Sequence, residues 1–178
     1  LDSDLLDESP VGNLDSNLID QPHEARAQIG VARRDITPPF GIYGPVWGFS
    51  THDGSSRGTH KPIYATALAI TPQSGAKPTV IVALDLGTSG DLTGLEDKWI
   101  RESVVKDLGI PISNLMLASS HTHGAPWPYR SRAQFPGGDL IEGYLELMKG
   151  AILEASREAI ETSEDCFITF KDGRCDLA

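Results

Sequence analysis

Hydrophobic positions along this chain switch between a strand period and a helix period. Ile29-Gly30-Val31-Ala32-Arg33-Arg34-Asp35-Ile36-Thr37 reads as a strand stopped by Pro38-Pro39, and Ile63–Ile70 as a second. Thr79-Val80-Ile81-Val82-Ala83-Leu84-Asp85 is continuously apolar up to its last residue, which predicts a third strand buried on both faces. Between these two, Pro72-Gln73-Ser74-Gly75 has the composition of a hairpin turn. Leu95, Trp99, Ile100, Val104, Val105 and Leu108 then recur at helical spacing until Gly109 and Pro111. Asn114-Leu115-Met116-Leu117-Ala118 reads as a buried strand. A long helix is expected after Asp139 as N-cap, with Ile141, Tyr144, Leu145, Met148, Ile152, Ala155 and Ala159 on one face. Cys166–Phe170 closes as a last strand. This order predicts an α/β fold, a layered sheet flanked by helices, over residues 27–178.

Residues 1–26 have a different texture. Seven acidic side chains precede the first basic one, Arg26, and the leucines are scattered, so a disordered tail or linker is expected. The chain starts at Leu1, and its last strand would lie at a sheet edge close to the end. The expectation is an incomplete portion of a larger domain. A loop rich in Gly and aromatic residues, Phe40–Phe49, follows the first strand. Its aromatics, Trp47 among them, either cover the core edge or line a pocket for an apolar substrate.

Charge narrows the function. The 178 residues carry a formal net charge of −10, which leaves no basic patch to exchange for phosphate counterions and argues against a nucleic-acid partner. No apolar run approaches the ~20 residues of a membrane-spanning helix, so no transmembrane segment is expected. Cys166 and Cys175 define no framework. They either close a small disulfide loop or stay as thiols.

The chemistry concentrates in Ser119-Ser120-His121-Thr122-His123-Gly124-Ala125-Pro126. On an extended strand, residues two apart share a side, so His121 and His123 would leave the strand end together. Paired imidazoles at a strand end suit a metal or catalytic site, and equally suit two hydrogen-bonded polar histidines. In open α/β sheets ligands bind beyond the carboxyl ends of strands. Asp85 stands at another such end, and would meet the histidines if the two strands were parallel neighbours. There it would orient an imidazole or bind metal, or it would serve as a turn residue. His60 precedes a strand and either reaches the same cleft or stays in solvent. Arg130 and Arg132 follow the histidine loop as candidates for an anionic group. Nucleotide-binding glycine loops, the serine-elbow motif and the His-Glu-x-x-His helix are all missing from the sequence. A catalytic zinc needs at least three protein ligands. Either Asp85 or His60 completes the set, or the rest lies elsewhere.

Four motifs in order resemble the neutral/alkaline non-lysosomal ceramidase family, over residues 28 to about 160. They are Ile29–Pro38, Gly58-Thr59-His60-Lys61-Pro62-Ile63-Tyr64-Ala65-Thr66-Ala67, Asp85-Leu86-Gly87, and Asn114–Leu117 leading into His121-Thr122-His123 and Pro126. The resemblance implies a zinc amidase that cleaves the N-acyl bond of ceramide, acting in a secreted or periplasmic setting, with this chain as the N-terminal portion of the catalytic domain. It implies His121 as a zinc ligand and His123 as a group that stabilises charge or moves a proton. Asp85 joins them as a catalytic candidate, and His60 and Trp47 as substrate-binding candidates. The family's other ligands, a later His, a Glu and a Tyr, have no match here, nor has its Gly-Asp-x-Ser-Pro segment. Gly124-Ala125-Pro126 replaces Ser-Gly-Pro, and Thr66 stands where the family often has Arg. Two alternatives remain open: another His-x-His metallohydrolase acting on a different amide or ester, and a non-enzymatic domain with the same fold.

Overall fold

A computed structural model describes residues 23–44, 54–87 and 94–170. Its strands and principal helices are β1 (His23–Asp35), β2 (Tyr64–Pro72), β3 (Thr79–Leu84), α1 (Leu95–Leu108), β4 (Leu115–Ser119), α2 (Ile141–Glu161) and β5 (Glu164–Phe170). They form an α/β fold around a five-stranded mixed sheet in the order β4-β3-β2-β1-β5. Arg26–Cys166 is one compact unit; His23–Ala25 of β1 and Phe167–Phe170 of β5 belong to a second. β1 starts at His23, so strand structure reaches into the stretch expected to be tail. Residues 1–22 of that stretch, and Cys175, lie outside the described residues. Cys166 carries a free thiol.

β1–β2 and β2–β3 pair antiparallel, whereas β3–β4 pair parallel. A short turn suffices for the β2–β3 hairpin: the Gly75 N–H donates to the Pro72 carbonyl at 3.3 Å, and Gly75 takes a left-handed φ of 77°. A parallel pair needs a long crossover, which α1 supplies. Gly109, at φ 64°, ends α1, with the Ile110 N–H closing back on the Val105 carbonyl at 3.2 Å.

The register explains the packing. Ala65, Ala67 and Ala69 of β2 are fully buried, and opposite them lie Leu84, Val82 and Val80 of β3. Gly30 of β1 pairs with Ala69. This small-residue strip lets α2 approach closely. A Cβ on Gly30 would overlap the Ala159 carbonyl oxygen and stand 3.1 Å from Ser163 Cα. The helix brings Ile141, Tyr144, Leu145, Met148, Ile152, Ala155 and Ala159 to the contact, the face read from the sequence. The buried Tyr144 hydroxyl donates to the Ile36 carbonyl at 2.7 Å. Burial pushes this phenol well above its usual range, and it keeps its proton throughout neutral pH.

Two expectations are corrected. Asp139 does not cap α2: it sits in a 3-10 turn, Gly138–Leu140, and Leu140 holds the N-cap position with no side-chain hydrogen bond. The turn runs straight into the helix, so no extended residue precedes it to aim a side chain back at the free N–H groups. β3 is buried on one face only. Val80, Val82 and Leu84 are buried, while Thr79 and Ala83 are exposed. The buried residues of α1 and α2 join a single core cluster with that one face of the sheet.

Candidate functional site

Parallel pairing of β3 with β4 places their carboxyl ends side by side. Leu84 pairs with Ser119, and the Ser120 N–H donates to the Leu84 carbonyl at 2.9 Å. Asp85 and the His121-Thr122-His123 segment therefore emerge from adjacent strand ends, the usual ligand position in such sheets. The loops remain close beyond the strands: a Cβ on Gly87 would lie 3.1 Å from the Thr122 carbonyl oxygen.

The histidines do not continue the strand. β4 ends at Ser119, and His121 has φ 61°, the only left-handed non-glycine among the described residues. That conformation costs an L-residue about 1–2 kcal/mol. The two-residue period expected to align the rings thus fails here. The backbone bend brings them together instead: the ring centroids of His121 and His123 are 5.2 Å apart, with planes at 58°. Both residues are exposed. Backbone strain on an exposed polar residue is characteristic of functional loops.

Asp85 is committed to the backbone by one oxygen. Its Oδ2 accepts the Tyr64 N–H at 3.0 Å, and its own N–H donates to the Tyr64 carbonyl at 3.0 Å. The carboxylate thereby fixes the start of β2 to the end of β3.

His60 and His123 line one cleft of about 360 Å³. Lys61 and Thr122 add polar groups to its wall, and Ile42, Ile63 and Pro126 an apolar side. The cleft joins the segment before β2 to the histidine loop, a contact that sequence spacing alone does not reveal. Trp47 lies outside the described residues.

The structure adds an anchor for the histidine loop. Glu96, in the first turn of α1, is 3% exposed and accepts the Arg130 N–H at 3.0 Å. The Arg130 guanidinium makes two bonds to Glu142, at 2.8 and 2.9 Å, and lies 4.6 Å from the centroid of the Trp99 ring. Glu142 raises the Arg130 pKa, and Arg130 in turn holds the Glu142 carboxyl below its usual range. Arg130 is thus an internal clasp joining the loop to α2, rather than an open anion site. A glutamate in the first turn of a helix suggests only a favourable dipole contact, so this role had no distinct sequence signal. Arg132 lies over the Phe135 ring, 5.6 Å from its centroid.

Among the described residues, no three His, Cys, Asp or Glu side chains come together in a group able to hold a metal ion. Asp85 and His60 do not complete a three-ligand set with His121.

Solved structures of similar fold are ceramidases. A structure described as a ceramidase complexed with C2 superposes with a TM-score of 0.61 at 22% identity, over 79% of this chain and 22% of that one. The neutral ceramidase of Pseudomonas aeruginosa gives 0.62 at 21% identity, over the same shares. The chain shares the fold of the matching part of these ceramidases. At this identity the likeness is one of fold, and the chain spans about a fifth of each ceramidase's length. No family model and no curated protein sequence matches.

Proposed function

We propose that the chain is part of a metal-dependent hydrolase of ceramidase type, which cleaves the N-acyl bond of a lipid amide such as ceramide. The observation that carries this reading is the His121–His123 ring pair, 5.2 Å apart on a strained loop beyond two parallel strand ends. The ceramidase-like fold supports it, as does a cleft lined by apolar residues and by His60, Lys61, Thr122 and His123.

Imidazole nitrogen is a good zinc donor, and this loop supplies two. Two donors do not make a catalytic zinc site, and the described residues offer no third in place. The proposal is therefore that His121 contributes one ligand to a site whose other ligands come from outside the described residues. The 178-residue chain alone would hold zinc weakly. When bound in such a site, zinc polarises a carbonyl and activates water. His123, facing the cleft, would stabilise developing charge or move a proton at the amide. Asp85 would act by holding the strand ends in place. His60 and Trp47 would contact substrate, and a secreted or periplasmic location belongs to the same proposal. No described helix is long and apolar enough to cross a membrane.

The incomplete donor set favours one other reading, a non-enzymatic domain of the same fold. Expression of the complete reading frame separates the two. Stoichiometric zinc with ceramide hydrolysis, both lost in His121→Ala, supports the amidase. A folded protein without zinc refutes it, and zinc without ceramide turnover redirects the search to other amides or esters.

A further inference from the structure

The sheet has two faces, and the described helices cover only one of them. On the covered face lie Ala65, Ala67, Ala69, Val80, Val82 and Leu84, packed in one core cluster with α1 and α2. The alternate residues of the same strands form the opposite face, and the register sets them in rows: Val31 opposite Leu68, Leu68 opposite Ile81, and Ile81 opposite Met116. This row crosses four strands and contains no charge. Val31 is 62% exposed and Met116 56%, at the two ends of the row, while Leu68 and Ile81 are half-buried. A solvated sheet face normally alternates to polar residues, and a parallel strand pair is normally covered on both sides. A continuous apolar row of this width marks a contact surface.

We propose that this open face is the floor of a second core, covered by a further layer of the same protein that lies outside residues 1–178. Three observations favour a covalent continuation over a separate partner. The matching ceramidases carry this fold as about a fifth of a longer chain. Both described helices are spent on the opposite face. β4 also ends the sheet with one edge unpaired by any described strand, so the sheet is open in the same region as its face. The net charge of −10 works against association of two copies. The inference concerns packing and stands independently of the proposed chemistry.

Thiol accessibility tests it. Met116→Cys is made with Cys166 and Cys175 changed to serine, in the 178-residue chain and in the product of the complete reading frame. Glu146→Cys, on the exposed side of α2, serves as the control. Alkylation of Met116→Cys is expected to match the control in the 178-residue chain and to be slower by about tenfold or more in the complete product. Val31→Cys gives the same comparison from the other end of the row should Met116→Cys fail to fold. Equal labelling in the complete product overturns the proposal, as does a complete product no longer than 178 residues. Protection that appears in the 178-residue chain and grows with its concentration overturns it in favour of a second copy.

Discussion

His121 is held at φ 61°, and the two roles of this residue can be separated by substitution. Alanine and glycine both remove the imidazole; only glycine accepts the left-handed backbone without strain. The left-handed conformation costs alanine about 1–2 kcal/mol. Glycine gives back about 0.4–1 kcal/mol of this because it loosens the unfolded chain. The balance favours His121→Gly over His121→Ala by about 0.8 kcal/mol at the centre of a range of about 0–1.6 kcal/mol, and that central value is about 2–3 °C in Tm for a chain of this size. Because His121 is exposed, loss of its ring removes little packing, and His121→Ala should stay within about 0.5 kcal/mol of the wild type. Urea unfolding followed by far-UV circular dichroism, with the m-value checked for constancy, reads the difference. A glycine variant no more stable than the alanine variant would refute the reasoning, because the loop would not then be held in the left-handed conformation. If confirmed, the result means that a residue proposed as a metal ligand is retained at a cost to stability.

Three further outcomes follow from the packing. Gly30→Ala forces a methyl group against the backbone of α2 at Ala159 and of Ser163 just beyond it, and should cost about 1–3 kcal/mol in chemical denaturation; a neutral result would mean that α2 does not lie this close to β1. Tyr144→Phe leaves the Ile36 carbonyl without its buried donor, and a loss of about 1–3 kcal/mol is expected, read as a lower urea midpoint at unchanged m-value. Arg130 holds the Glu142 carboxyl below the 4.5 of a free glutamate, so the unfolded chain binds the proton first as pH falls. The stability that Glu142 contributes is present above pH about 4.5 and is lost as pH falls through its lower folded value, so the advantage of wild type over Glu142→Gln should shrink as pH falls below about 4.5. A difference independent of pH across that range would exclude the ion pair as its source.

Sequence alone determined the elements. The burial stripe from Ile141 to Ala159, the α1 helix ended by Gly109, and the strand at Leu115 all rest on periods and stop signals within a few residues of each other. Those are local properties of the chain, set by backbone geometry and side-chain shape, and the histidine pair was visible for the same reason. The tertiary structure decided what was non-local. β3 reads as buried on both faces from its apolar run, but the described helices α1 and α2 both pack on one face, and Thr79 and Ala83 on the other are exposed. Asp85 reads as a residue that orients an imidazole, binds metal or serves in a turn, and one of its oxygens is bound to the Tyr64 N–H, which only the β2–β3 register brings near. Arg130 reads as available for an anion, but Glu142 and Glu96 claim it from two helices. His121 and His123 meet through a left-handed bend and not through the strand period. In the cases of β3, Asp85 and Arg130 the deciding partner lies on a different segment, and hydrogen bonds and burial depend on distances in space that no period along the chain encodes.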